Sequence, residues 1–445
     1  MKFRLTDYLY PFEIYKLYRG LQKSWYFSRE ELNELQNARL RLIIEHAYHH
    51  VPYYRELFDD NRIKPTDIQS TKDLIHIPVL TKDIIRERFD DLIADNSKKF
   101  KPYVNKTSGS TGTPLKFMQD KNVSIARFSY FWRIWQMAGY KPYMKWAQID
   151  GMLKPEKNML WSYNLKLNSL QLSAFFLDES NCLRIIEKLK TFKPKIIRGY
   201  PNALYTLARF TVKNNINIDW QVKSIITYSE TLHDFQKETI ERVFGCKVFD
   251  VYSLWEAVCL ISECKLQNKH QHMEFSAMEV LDESNNTLPV GNIGEITATS
   301  FYNFAMPFIR YKTGDLTSIT DDYCDCGIKH TRVEKINGRK QDMLFNTHGD
   351  IVPVHGFLMG QLIKYEQLQG LLQTQIIQNC YHEIDVKFIV NKNAEVKTIK
   401  EGLTTTLIKR LGEDMNIRFF QVEEIPVDKN GKARFIINNL LRENK

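Results

Sequence analysis

A chain of 445 residues, 43% apolar and 26% charged, is too long for a single hydrophobic core and too apolar for disorder, so at least two domains are expected. Its 62 Lys and Arg against 53 Asp and Glu give a formal charge of +9. No basic block interleaved with aromatics accompanies that excess, so nucleic acid is not an expected partner. No run reaches the roughly 18–20 apolar residues that a transmembrane helix needs. Seven cysteines, odd in number and without an export signal, argue against a disulfide framework and for a cytoplasmic protein.

The opening stretch, MKFRLTDYLYPFEIYKLYRG, is basic and aromatic but has no signal-peptide core. A helix capping the domain is expected there, with a membrane- or partner-facing segment as the alternative. The first hundred residues read as helical. Leu32, Leu35, Leu42, Ile43 and Ala47 recur at helical spacing, and Val51-Pro52 stops that helix.

From about residue 100 to 330, short β-rich runs at 195–198, 224–227 and 247–251 alternate with helical stretches at 181–192 and 232–244. This alternation predicts an α/β fold with sheets covered by helices. After about residue 345 the rhythm changes. Strand-like runs at 373–378 and 383–390 precede a helix at 396–410, a strand at 416–425, a Lys429-Asn430-Gly431 turn and a run at 433–437. That makes an α+β unit of roughly 100 residues, an ordinary domain size. The expected domains are 1–339 and 340–445, joined near Gly338-Arg339.

Five segments carry chemistry. Thr107-Ser108-Gly109-Ser110-Thr111-Gly112-Thr113-Pro114 offers hydroxyls and backbone N–H groups to phosphate oxygens. It is not a Walker A loop, because no Gly-Lys-Ser/Thr closes it, and a plain Ser/Gly turn is the alternative. Tyr252-Ser253-Leu254-Trp255-Glu256 follows a strand, placing a ring for stacking on a base and a carboxylate within reach of Mg²⁺. Arg310-Tyr311-Lys312-Thr313-Gly314-Asp315 ends in an acid suited to ribose hydroxyls. Ile336-Asn337-Gly338-Arg339-Lys340-Gln341-Asp342 joins a turn to a charged cluster, and Pro426-Val427-Asp428-Lys429-Asn430-Gly431-Lys432 sets a lysine on a turn. Each also has a plain reading as buried tyrosine, surface acid, solvated turn or Asn-Gly hairpin.

In this order the segments resemble the motif series of the adenylate-forming superfamily. The nearest branch looks like phenylacetate–CoA ligase and its capsular-polysaccharide-associated relatives. HAYHHVPYYRELF, KPKIIRGYPNAL, YSETL and MPFIRYKTGD are similar to that branch, and the resemblance spans nearly the whole chain. It implies a large N-terminal adenylation domain and a small mobile C-terminal domain. Ser108, Ser110, Thr111 and Thr113 would hold the ATP phosphates, and Ser229, Glu230 and Thr231 would line the adenine beneath Tyr252. Glu256 would bind Mg²⁺, Asp315 the ribose, and Arg339 the ribose–phosphate region. Lys432 would bridge the carboxylate and the α-phosphate. The hinge falls at Gln341, where the branch usually carries Asp or Lys. Ser253 also departs, standing where glycine usually follows the tyrosine, and so does Leu115-Lys116, where relatives place lysine directly after proline.

Cys324-Asp325-Cys326-Gly327 has the form of a metal knuckle, with Cys264, His270 and His272 upstream. Three thiolates and one imidazole make a closed, structural zinc site; free thiols and a surface histidine are the alternative. The resemblance favours His272, giving the set Cys264, His272, Cys324 and Cys326.

The implied function is ATP-dependent activation of a small carboxylic acid as its acyl-adenylate, followed by transfer to a thiol, with CoA expected. Transfer to a carrier protein, an amine or a sugar is the second reading. A non-catalytic nucleotide or acyl binder is the third, and intact Lys432, Glu256 and Asp315 argue against it. The acid is not legible. Phe131, Trp132 and Trp135 suit an aryl acid, but fatty or amino acids fit such a lining equally.

Overall fold

The computed structural model describes residues 10–107, 115–153, 159–165, 167–339, 343–349, 351–352, 370–391, 394–426 and 435–440. The chain forms two compact units. The first is built from Met1–Met144, Lys223–Ser229 and Phe249–Ile336, and the second from Lys145–Val222, Glu230–Val248 and Asn337–Lys445.

The first unit opens with helices α1 (Pro11–Ser24), α2 (Arg29–His50) and α3 (Pro52–Asp60). A capping box starts α2: Ser28 Oγ accepts from the Glu31 N–H, and the Glu31 carboxylate accepts from the Ser28 N–H, satisfying two orphan donors. Extended Val51 closes α2, and Pro52 at the first position of α3 cannot continue it. The buried stripe of α2 is Leu32, Gln36, Leu40, Ile43, Ile44 and Ala47. Leu42 does not belong to it. It is 65% exposed, because one helical step of about 100° from Ile43 turns it to solvent.

Helix α4 (Lys82–Glu87) is capped by Thr81, and α5 (Lys121–Met137) by Asp120. The Asp120 carboxylate also accepts the N–H groups of Phe304 and Ala305, tying the start of α5 to a distant loop. A two-stranded antiparallel hairpin pairs Tyr103–Lys106 with Lys116–Gln119. The sheet strands of this unit run in the order Ser276–Leu281, Gly294–Ser300, Tyr311–Thr320, Arg332–Arg339, Lys269–Gln271, Leu260–Glu263, Lys247–Ser253 and Ser224–Tyr228. A core containing Tyr54, Phe58, Phe117, Ile296, Phe308 and Tyr311 packs the helical N-terminal region against them.

In the second unit Ile196–Gly199, Trp146–Asp150 and Ser169–Ser173 lie parallel, with Trp161–Asn164 antiparallel at the edge. Helices α6 (Glu179–Phe192), α7 (Pro201–Lys213) and α8 (Asp234–Phe244) accompany these strands. Their starts and stops follow local chemistry: Asp178 caps α6, Pro201 begins α7, and Gly245 at φ 62° ends α8. Parallel strands joined by helices are the α/β pattern expected from the alternating sequence.

The C-terminal part of this unit has its own four-stranded sheet. Leu371–Cys380 pairs antiparallel with Glu383–Val390 and parallel with Ile436–Asn438, while Asn416–Gln421 lies parallel to Glu383–Val390. Helix α9 (Val396–Leu411) closes over it, burying Ile376, Ile384, Val386, Leu403 and Leu407 in one core. The strand expected at 416–425 ends sooner, at Gln421. Of the run expected at 433–437, residues 433–434 lie outside the described residues, and the strand is Ile436–Asn438. Among the described residues no helix is long and apolar enough to cross a membrane.

Candidate active site and metal centre

Strand Lys247–Ser253 carries Tyr252 near its C-terminal end, and strand Tyr311–Thr320 carries Asp315. The Tyr252 hydroxyl donates to Asp315 Oδ2 at 2.8 Å. Burial and the neighbouring Asp315 charge push the Tyr252 hydroxyl well above its ordinary range, so it stays protonated and acts as the donor. Just before Asp315, Gly314 adopts φ 84°, a conformation costly for a residue with a Cβ. Its N–H donates to Glu295 Oε1 at 2.9 Å, and the Asp315 N–H donates to Thr313 Oγ1 at 3.1 Å.

A second bond joins the same two segments. The buried Tyr311 hydroxyl donates to Glu256 Oε1 at 3.0 Å. Two motifs far apart in sequence therefore bring an aromatic ring and two buried carboxylates together. Lys82, at the start of α4, donates from Nζ to the Thr313 carbonyl at 3.0 Å. No sequence signal marked Lys82 as a neighbour of this site, and Tyr311, although inside the Arg310–Asp315 segment, was given no role there; each is recruited by a tertiary contact.

The base of the Ser/Thr/Gly loop is closed from both sides. The Thr107 N–H donates to the Leu115 carbonyl and the Leu115 N–H to Thr107 Oγ1, each at 2.9 Å. Ser108, Ser110, Thr111 and Thr113 themselves lie outside the described residues. The hairpin is bound to the Tyr252–Glu256 segment through Gln119, whose Nε2 donates to the Trp255 carbonyl at 2.9 Å. Arg127 of α5 donates to the same carbonyl and lies 4.8 Å over the Trp255 ring, a cation–π contact.

Ser229 follows the buried strand Ser224–Tyr228 in a left-handed conformation, φ 70°. In the second unit Glu230 Oε2 accepts from the Asn202 N–H at 3.2 Å. Gly338, at φ 86°, sits where a Cβ would lie 3.6 Å from Thr231 Oγ1, so the junction turn meets the loop that follows Ser229. Arg339 ends strand Arg332–Arg339. Its side chain, Gln341 and Lys432 lie outside the described residues. Of the three aromatics expected to line an acid pocket, Phe131 and Trp135 are buried and their rings lie 6.1 Å apart. Trp132 departs from that expectation: it is 39% exposed and meets Tyr18 edge-on.

The metal-type cluster is Cys264, His270, Cys324 and Cys326, all buried, with their donor atoms within 4.8 Å of one another. Cys264 and Cys324 Sγ are 3.8 Å apart, too far for a disulfide. Cys326 Sγ lies 3.5 Å from His270 Nε2, and His270 Nδ1 faces the His330 carbonyl at 3.4 Å. That carbonyl calls for the proton on Nδ1, leaving Nε2 to face the sulfurs. Burial pushes the His270 imidazole down to about 4 and the Cys326 thiol up to about 12.

The expected fourth donor is thereby corrected from His272 to His270. His272 Nε2 is hydrogen-bonded to Ser262 Oγ at 2.8 Å and its Nδ1 to Arg133, so both ring nitrogens are engaged away from the thiols. Beside it lies a buried ion pair, with Arg133 Nη1 2.8 Å from Glu274 Oε1. Burial opposes ionisation of Glu274, but Arg133 and then His330 outweigh it and hold the carboxyl well below its ordinary range. Trp25 shelters this group, its ring 4.2 Å beneath the Arg133 guanidinium.

Residues 349–439 match the family described as the CapK C-terminal domain. Over 418 residues the chain is 30% identical to Protein CapK of Staphylococcus aureus, covering 92% of this chain and 90% of that protein. It is 23% identical to the phenylacetate-coenzyme A ligase of Thermus thermophilus, covering 92% and 97% respectively. Among solved structures, 2-hydroxyisobutyryl-CoA ligase in its postadenylation state superposes with a TM-score of 0.74 at 19% identity, over 95% of this chain and 94% of that one. That likeness concerns the fold alone. Together with the paired motifs at Tyr252–Asp315 and Tyr311–Glu256, the relationship to CapK places the chain in the adenylate-forming acid–thiol ligase family, in the branch that contains CapK and the phenylacetate–coenzyme A ligases.

Proposed function

We propose that the protein activates a small carboxylic acid with ATP as an acyl-adenylate and passes the acyl group to a thiol, CoA being the first acceptor to test. The observation that carries this reading is the meeting of Tyr252 with Asp315 and of Tyr311 with Glu256, at 2.8 Å and 3.0 Å. A ring and a fixed carboxylate side by side suit a nucleoside, the ring stacking on the base and Asp315 accepting from ribose hydroxyls.

In the first step a substrate carboxylate oxygen forms a bond to the α-phosphorus while the bond to the pyrophosphate oxygen breaks. Both reactants are anions, so the step depends on neutralisation and alignment. Lys432 would supply positive charge between carboxylate and α-phosphate, and Ser108, Ser110, Thr111 and Thr113 would donate to the leaving phosphates. Magnesium, which Glu256 would hold, supplies further neutralisation when bound. In the second step the thiol sulfur attacks the acyl carbon, AMP departs with the bonding pair, and the thiol proton passes to solvent.

We further propose that residues 340–445 form the mobile domain that exchanges groups between the two steps, with Gln341 as hinge. The self-contained core around Ile376, Val386 and Leu407 supports a segment able to move as a body. Cys264, His270, Cys324 and Cys326 would hold zinc. A site with four protein donors and no open position stabilises the fold and takes no part in the chemistry.

Transfer to a carrier-protein thiol, an amine or a sugar is the second reading. The 30% identity to CapK, a protein whose name specifies no acceptor, against 23% to the Thermus phenylacetate-coenzyme A ligase is the reason to test acceptors other than CoA. The deciding experiment is carboxylate-dependent ATP–pyrophosphate exchange across a panel of acids, followed by single-turnover transfer to CoA, amines and sugars. Absence of exchange with every acid, in protein shown to be folded, overturns the adenylation reading. Exchange without CoA consumption overturns only the choice of acceptor.

A further inference from the structure

Helix α1 is fastened to the first unit along one side only. Its Ile14 and Leu21 are buried, and Ile14 packs against Ile125 and Phe128 of α5. Ser129 Oγ donates to the Ile14 carbonyl and Arg133 Nη1 to the Leu21 carbonyl, each at 3.0 Å. At about 100° per residue, Phe12, Lys16, Arg19 and Lys23 fall along a single line on the opposite side, with Tyr15 beside it. Phe12 is 85% exposed, Tyr15 53%, and Tyr26, just beyond the helix, 69%. The three cations are exposed too, and the one acid of α1, Glu13, points about a quarter-turn away.

The mixture of side chains identifies the partner. The centre of a protein–protein interface is depleted of lysine, whereas this line has a cation at three of its four positions. A convex single helix offers no groove in which bases could stack. A row of three cations flanked by exposed aromatic rings matches an anionic bilayer: Lys and Arg meet lipid phosphates while the rings settle at headgroup depth. We propose that the outward face of α1 docks the protein on an anionic membrane surface. With three cations and a few rings, binding is peripheral, reversible and weakened by salt.

Co-sedimentation of the full chain with phosphatidylcholine vesicles, with or without phosphatidylglycerol, tests this. The expected result is pelleting with the anionic vesicles only, released by salt. Lys16→Glu combined with Arg19→Glu and Lys23→Glu should lower the partition by at least about tenfold, since each basic residue contributes a several-fold factor. Phe12→Ser with Tyr15→Ser should lower it as well. Thermal melts and ATP–pyrophosphate exchange should match the parent, because these side chains are exposed and face away from the core. Four results would overturn the proposal: no pelleting by the parent chain, charge reversal without effect, duplex DNA bound in preference to the vesicles, or a solution dimer that Phe12→Ser dissolves.

Discussion

The hydroxyl of Tyr252 and the carboxylate of Asp315, 63 positions apart in the chain, meet at 2.8 Å. The bond fixes which way the carboxylate faces. Tyr252→Phe removes a donor to a charged acceptor, a loss of about 1.5–3 kcal/mol, so KM for ATP should rise by roughly 10- to 100-fold. Asp315→Ala should lower exchange kcat/KM further than Tyr252→Phe does. If both variants exchange at the parent rate, the nucleoside does not bind here.

Metal analysis separates two histidines that lie two residues apart. His270→Ala or Cys326→Ser should abolish bound zinc and lower Tm, whereas His272→Ala should keep the metal. Burial holds the His270 imidazole near 4, so it is neutral and ready to ligate at pH 7. The Cys326 thiol, pushed up to about 12, carries its proton until metal displaces it. Loading the metal-free chain in weak buffer should therefore release protons, and affinity should fall as pH falls. Zinc retained by His270→Ala would refute this donor set.

The buried Arg133–Glu274 pair predicts a large destabilisation when either partner is removed. Glu274→Ala leaves a buried guanidinium without its anion, a cost of about 3–5 kcal/mol in urea unfolding. Glu274 is held below its ordinary carboxyl range when folded, so the unfolded chain binds more protons in acid. Its contribution is fully present above the unfolded value near 4.5 and is lost as pH falls through the lower folded value. A parent and variant equally stable at pH 7 would show that the pair contributes nothing.

Gly199 is required by space. A Cβ there would sit 2.5 Å from the Ile149 carbonyl oxygen and as close to Ile149 Cγ2, so Gly199→Ala must push apart the parallel strands Trp146–Asp150 and Ile196–Gly199. Overpacking of this kind costs about 1–3 kcal/mol, read as a lower midpoint in urea. An unchanged midpoint would mean that the strands separate freely.

Much of this was legible in the chain because local chemistry dictates it. The Val51-Pro52 break, the helix near Asp178, Gly245 after α8 and the alternating run Glu383–Val390 are all written in neighbouring residues. Leu42 misled because apolar character alone does not say which side of a helix a residue takes. Trp132 misled for the same reason. His272 was chosen over His270 by resemblance. The two differ only in what surrounds them, a carbonyl behind one ring and an arginine behind the other. Lys82 entered the site through a tertiary contact that no spacing in the sequence encodes, and Tyr311, although inside the Arg310–Asp315 motif, met Glu256 through another.

Thr107 and Leu115 are bonded to each other in both directions, so the two ends of the intervening segment are already neighbours before any nucleotide arrives. If the proposed triphosphate binds at this segment, it does not have to bring distant chain ends together, and the entropy of ring closure is absent from its affinity. Thr107→Val keeps the shape but deletes one of the two bonds, and should weaken ATP capture while leaving the acid's own affinity alone.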